Sequence, residues 1–172
     1  EAARAGELGA CRFLWENGAA STIRTISGGC PPMWIACFKG HLDVAKWLFA
    51  VGAAEDIRTV NNWGWTPMHR ACREGHLHVV KWLFEMGVVK DIRAEGNDGW
   101  TPMYVASSSN RHHVTQWLVL HGAANNDEGH VDPAILERDV HADHWPRLIP
   151  LLQLLVNENA AFKFLLLTAA VI

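Results

Sequence analysis

Histidines, cysteines and a short serine run are the residues of this 172-residue chain whose types could carry chemistry. A metal centre needs three or four ligands brought together by compatible spacings, and the ten histidines are tested against that first. His76 and His78 stand two apart, which on a helix points them to different sides, and the adjacent His112 and His113 diverge as well. His141-Ala142-Asp143-His144 is the best cluster, since histidines three apart share a helical face with a carboxylate close by. No third and fourth ligand can be named for it, and a solvated helix end accounts for the same residues. The expectation is no metal and no cofactor.

Nucleophilic chemistry fares no better. Cys11, Cys30, Cys37 and Cys72 contain no Cys-x-x-Cys and no spacing with histidine that suits zinc, so they read as core thiols of a chain kept in a reducing, intracellular compartment. Ser107, Ser108 and Ser109 with His112 could form a Ser/His pair, but nothing orients the base and no oxyanion donors can be named. These serines read as helix-end and turn residues. No glycine-rich phosphate loop follows a strand, and no paired carboxylates sit on a plausible cleft. No enzyme is expected.

The elements that would position any site are clearest from Asn62 to Gly87. Thr66-Pro67 opens a short helix, the threonine as cap and the proline at the first helical position, where its missing N–H costs nothing. Gly75 breaks it. A second helix then places Leu77, Val80, Leu83 and Phe84 on one stripe, and Gly87 ends it. Two helices this short have too little core of their own, so the unit needs neighbours like itself.

The sequence supplies them. A slide of 35 residues superimposes Pro32, Pro67 and Pro102, then Gly40-His41 on Gly75-His76, then Trp47, Trp82 and Trp117, then Gly52, Gly87 and Gly122. A slide of 34 puts Gly6 on Gly40, Leu8 on Leu42, Leu14 on Leu48 and Gly18 on Gly52. With Thr66-Pro67-Met68-His69-Arg70-Ala71 and Thr101-Pro102-Met103-Tyr104-Val105-Ala106, the pattern resembles the ankyrin repeat. The resemblance implies an all-α repeat solenoid, a helix-turn-helix stack with short hairpin turns. Units fall at about 1–26, 27–60, 61–94 and 95–128, and residues 129–172 form a divergent helical cap or tail. Unit two departs with Pro31-Pro32 and Trp34, and unit four with Asn110-Arg111, changes expected to weaken hydrogen bonding at the turns while sparing the apolar ladder.

Composition agrees with an ordered stack: 49% of residues are hydrophobic and 19% charged, too few charges for a disordered chain. The net charge of −3, with Lys and Arg interspersed among Asp and Glu, argues against nucleic acid as a partner. The apolar runs Leu148 to Val156 and Ala160 to Ile172 are each shorter than a bilayer requires and are interrupted by Pro150, Gln153 and Lys163. The first is expected to pack on unit four, the second to cover it or meet another chain. The chain opens at Glu1 inside what should be the first helix of unit one, so an upstream extension is expected.

Trp47, Trp82 and Trp117 read as seam residues between stacked units, and Trp65 and Trp100 as packing between neighbouring hairpins. Trp63 does not recur, its counterpart being Asp98, and no rule of the repeat asks for an aromatic there. The resemblance implies that hairpin tips and the exposed side of the first helices hold another protein or peptide on a concave face. Carried over residue by residue, that gives Ile35, Phe38 and Lys39 in unit two; Asn62, Trp63, Arg70, Arg73 and Glu74 in unit three; and Asn97, Asp98, Val105, Ser108 and Ser109 in unit four. An aromatic beside two arginines matches the residue types that dominate interfaces. The leading expectation is a non-catalytic interaction module. The alternatives are a permanently bound structural subunit anchored by its apolar C-terminal segment, and the targeting arm of a longer enzyme.

Overall fold

The computed structural model describes residues 1–22, 24, 30–125 and 129–155; the turn of unit two before Cys30, the unit boundary near 128 and the apolar run Ala160 to Ile172 lie outside them. Within the described residues the regular elements are helices, joined by short turns. They come in pairs: α1 (Ala2–Ala5) with α2 (Leu8–Glu16), α3 (Pro32–Lys39) with α4 (Leu42–Leu48), α5 (Pro67–Glu74) with α6 (Leu77–Glu85), α7 (Pro102–Ser108) with α8 (His112–Leu120), and α9 (Pro133–Asp139) with α10 (Trp145–Leu155). The first helices form one row, α1 on α3 on α5 on α7 on α9; α2 packs on α4, α6 on α8 and α8 on α10 in the other.

Local chemistry explains the pairs. Proline occupies the start of α3, α5, α7 and α9, at Pro32, Pro67, Pro102 and Pro133, where an unpaired N–H would otherwise be left over. The step from Pro102 to Pro133 is shorter than the others, which hides the fifth pair from a search at a fixed period. Left-handed residues end the first helices: Gly40 has φ 79°, and a Cβ there would lie 2.7 Å from His76 Nδ1. In unit four Asn110 takes that role with φ 57°.

Stacking buries equivalent positions in register. Met33, Met68 and Met103 are buried, as are Ala36, Ala71 and Ala106; Val44, Val79 and Val114; and Leu48, Leu83 and Leu118. Each unit completes its neighbour's core, as a solenoid requires. The seam tryptophans meet an aromatic one unit back, edge to face: Trp47 on Trp15, Trp82 on Phe49 and Trp117 on Phe84, with ring centres 6.1, 5.9 and 5.3 Å apart. Burial pushes the Cys37 thiol up to about 12, and the Cys72 thiol upward as well, so both stay protonated. All four cysteines are unpaired and buried.

Polar ladders run between the pairs. His41 Nε2 donates to the Arg4 carbonyl and His76 Nε2 to the Phe38 carbonyl, each at 3.1 Å; in unit four Arg111 Nε donates to the Arg73 carbonyl at 3.0 Å. At the turns, His69 accepts the Thr66 N–H on Nδ1 and donates from Nε2 to the Trp100 carbonyl at 3.0 Å. Trp34, one unit earlier, donates from Nε1 to the Trp65 carbonyl at 3.1 Å. Unit two does lose the side-chain cap that Thr66 and His69 give unit three, since Pro31 makes none, but the bonds between units are kept in units two and four. Indole and guanidinium N–H groups reach the same kind of carbonyl that imidazole reaches elsewhere.

The cap continues both rows. Leu148 and Leu152 of α10 are buried where that helix packs on α8, and buried Asp139 accepts the Thr101 hydroxyl at 2.6 Å. Ser107, read from the sequence as a helix-end residue, is buried in α7 and accepts the His141 N–H at 2.6 Å, because it occupies the buried position of Cys37 and Cys72. Among the described residues no helix is long and apolar enough to cross a membrane.

Candidate partner-binding surface

Two hairpin tips precede α5 and α7. Asn61 Oδ1 accepts the N–H groups of Trp63 and Trp65, each at 3.0 Å, and the left-handed Gly64 completes the turn. The next tip is fastened to it: Asn97 N–H donates to the Trp63 carbonyl at 2.9 Å, Asn97 Nδ2 to the Asn62 carbonyl at 3.2 Å, and Trp65 Nε1 to Asp98 Oδ2 at 3.2 Å. Asn62, Asn97 and Asp98 thus spend part of their hydrogen-bonding capacity holding the tips in register. Trp63 stays 66% exposed beside them.

Below the tips, aromatic rings line the first-helix row. Trp34 and Phe38 lie one helical turn apart on α3 with centres 5.9 Å apart, Trp65 approaches Trp100 at 6.1 Å, and Trp100 approaches Tyr104 at 5.1 Å. Cations sit on them. The Arg70 guanidinium carbon lies 4.2 Å from the centre of the Phe38 ring, with Trp34 and Trp65 at 5.6 and 5.8 Å. Arg73 lies 5.4 Å over Trp65, and Lys39 Nζ 4.7 Å over Phe38.

Charge on this strip is incompletely matched. Glu74 Oε1 comes to 3.9 Å from Arg70, beyond hydrogen-bond reach, and among the described residues it is the one carboxylate within ion-pair distance of Arg70, Arg73 or Lys39. Arg70 Nε is buried with no hydrogen-bond partner. Burial, and then the neighbouring Arg73, push the Arg70 guanidinium below its ordinary value.

The structure brings Phe38, Lys39, Arg70, Arg73 and Glu74 together. Ile35 is half-buried and turns instead toward an apolar cavity of about 240 Å³ bordered by Trp15, Trp47 and Leu48. Val105, expected on the exposed side, is corrected to a core residue at 1% exposure, since α7 turns that position into the stack. Ser108 is exposed, donates to the Val105 carbonyl and borders a cavity of about 310 Å³ with Tyr104, Arg138 and His141; Ser109 ends α7. Trp34 and Trp65 are buried beneath the cations, while Trp100, exposed, and Tyr104, half-buried, were missed as surface-forming residues. The i, i+4 pair Trp100/Tyr104 is the signal that points to them, masked because a recurring tryptophan reads as core.

The histidine readings also shift. His76 and His78 do not point apart: both reach the end of α3, His78 Nε2 donating to the Gly40 carbonyl at 2.9 Å, because His76 precedes the helix with non-helical φ and ψ. His144, expected at a solvated helix end, is buried with its ring 4.0 Å from His112, while His141 stays exposed, 3.5 Å from Asp143. Among the described residues no group of three or more His, Cys, Asp or Glu side chains is placed to hold a metal ion.

A family model described as ankyrin repeats (3 copies) matches residues 51–129, and a model of the single ankyrin repeat matches residues 28–62. No curated protein matches the chain.

Proposed function

The chain belongs to the ankyrin repeat family, whose members are generally protein–protein interaction modules, and from that premise we propose that it is a non-catalytic module gripping a protein or peptide partner on the concave side of its first-helix row. The observation that carries this reading is the aromatic strip from Phe38 to Tyr104, topped by cations and by the exposed ring of Trp63. A large exposed ring next to guanidinium groups is the composition of an interface centre, and the folded array leaves Trp63 66% exposed. In this reading residues 1–128 are the array and 129–172 a divergent helical cap or tail. The buried, unpaired thiols agree with a reducing, intracellular compartment.

The test is a crosslinking pull-down from the native source, comparing the wild-type chain with the Trp63→Ala/Arg73→Ala double variant. Partner capture is expected to disappear while thermal stability changes little. A variant that melts instead would make both residues structural and remove this reading.

A further inference from the structure

We infer that the platform formed by Phe38, Lys39, Arg70 and Arg73 docks a carboxylate side chain from an acidic segment of the partner. The inference rests on the reading of the first-helix row as the binding face and says what that face recognises.

Three cations, Lys39, Arg70 and Arg73, converge on the rings of Phe38 and Trp65 within 4.2 to 5.4 Å. Like charges gathered on low-dielectric walls repel one another unless an anion lies among them. Glu74 supplies one negative charge from the same helix, 3.9 Å from Arg70 and too far for a hydrogen bond, and Asp98, bonded to the Trp65 indole at 3.2 Å, supplies another beside that ring, which leaves three cations against two carboxylates. Arg70 Nε, buried and unpartnered, is a donor that water does not reach. A carboxylate meeting the accessible part of the Arg70 side chain, which is 16% exposed, pairs the guanidinium charge without reaching Nε, and Arg73, which is exposed, can close on the same group. The half-buried ring of Phe38 suits the methylene stem of a glutamate. The neighbouring exposed Trp63 offers an apolar contact for a residue beside it, so the segment recognised combines acidic with apolar residues.

The test selects a random dodecapeptide display library on the full chain, then measures each enriched peptide by fluorescence anisotropy beside its Glu→Gln or Asp→Gln form. Enriched peptides are expected to carry an acidic residue whose neutralisation weakens binding at least about tenfold in the wild type and no more than about twofold in Arg70→Gln and in Arg73→Gln. Arg73 is exposed, so its variant keeps the test open should Arg70→Gln not fold. A shift of the Arg70 Nε–H resonance in ¹⁵N spectra on adding the peptide is the direct readout. Enrichment without acidic residues, a preference for phosphorylated over carboxylate peptides when both are offered, or an acid-to-amide loss equal in wild type and variants would overturn the inference. Peptides that compete at Trp63 without discriminating charge would overturn it while leaving the binding face intact, and an empty selection would overturn it independently of the pull-down.

Discussion

Arg70 lies flat enough on Phe38 to bring its guanidinium carbon 4.2 Å from the ring centre, joining unit three to unit two through side chains 32 positions apart. The contact puts a cation where the repeat needs none, and its charge and its packing can be separated. Arg70→Met keeps the aliphatic contact with Phe38 and discards the desolvated charge. Its urea-unfolding free energy is expected to stay within about 1 kcal/mol of wild type or to rise, because replacing a poorly paired buried cation by an apolar isostere is often neutral. Partner capture is expected to fall in the same variant.

Trp34→Phe removes the indole N–H that reaches the Trp65 carbonyl. The Trp65 carbonyl keeps the Asn61 N–H at 3.1 Å, so the lost bond costs about 0.5–1.5 kcal/mol, and the smaller ring adds a packing loss. Urea titration followed by far-UV circular dichroism checks this. A change under about 0.5 kcal/mol would mean that the indole bond is replaced in the variant.

Asn110 holds a left-handed conformation that the first three helix pairs give to glycine. Asn110→Gly is expected to leave stability unchanged or raise it by about 0.5 kcal/mol, and Asn110→Ala to lower it by about 1 kcal/mol. Thermal melts of the two variants side by side test the sign of each.

Acid should loosen the junction between the array and its cap. Burial, and then His112, lower the His144 imidazole to about 4, and burial lowers His112 as well. In the window between about 6.5 and 4 the unfolded chain binds a proton that folded His144 refuses, so stability falls as pH drops through it. Between pH 7 and 4.5 the wild type is expected to lose on the order of 1–2 kcal/mol more than His144→Leu, read from unfolding midpoints at each pH. Parallel losses in the two proteins would assign the acid sensitivity elsewhere.

Much of the fold was legible in the residues. Thr-Pro helix starts, glycine stops and a recurring apolar ladder act through local backbone preference and burial, and both leave a period that a slide of the sequence reveals. The fifth helix pair was less legible, because the step to Pro133 is shorter and the cap's contacts, Thr101 to Asp139 and His141 to Ser107, join residues that belong to no shared motif.

The candidate surface was legible in part. Exposure of Trp63 followed from its failure to recur, and Phe38, Lys39, Arg70, Arg73 and Glu74 were named from their positions on the first helices. Val105 was misplaced because it shares the repeat position of the half-buried Ile35 and Arg70, and only the packing of α7 shows that this copy is buried.

By itself, then, the sequence determined the repeat family, the helix boundaries and the register in which units stack. Tertiary structure decided which long side chain answers which carbonyl one unit away, so that Trp34 stands in for a histidine and Arg111 for another. It also decided that Arg70 lies on Phe38 with Nε unpartnered. The physical reason is reach. A period records what each residue does for its own backbone and its own apolar face, whereas a guanidinium or an indole finds its partner only after stacking has carried a second unit alongside it.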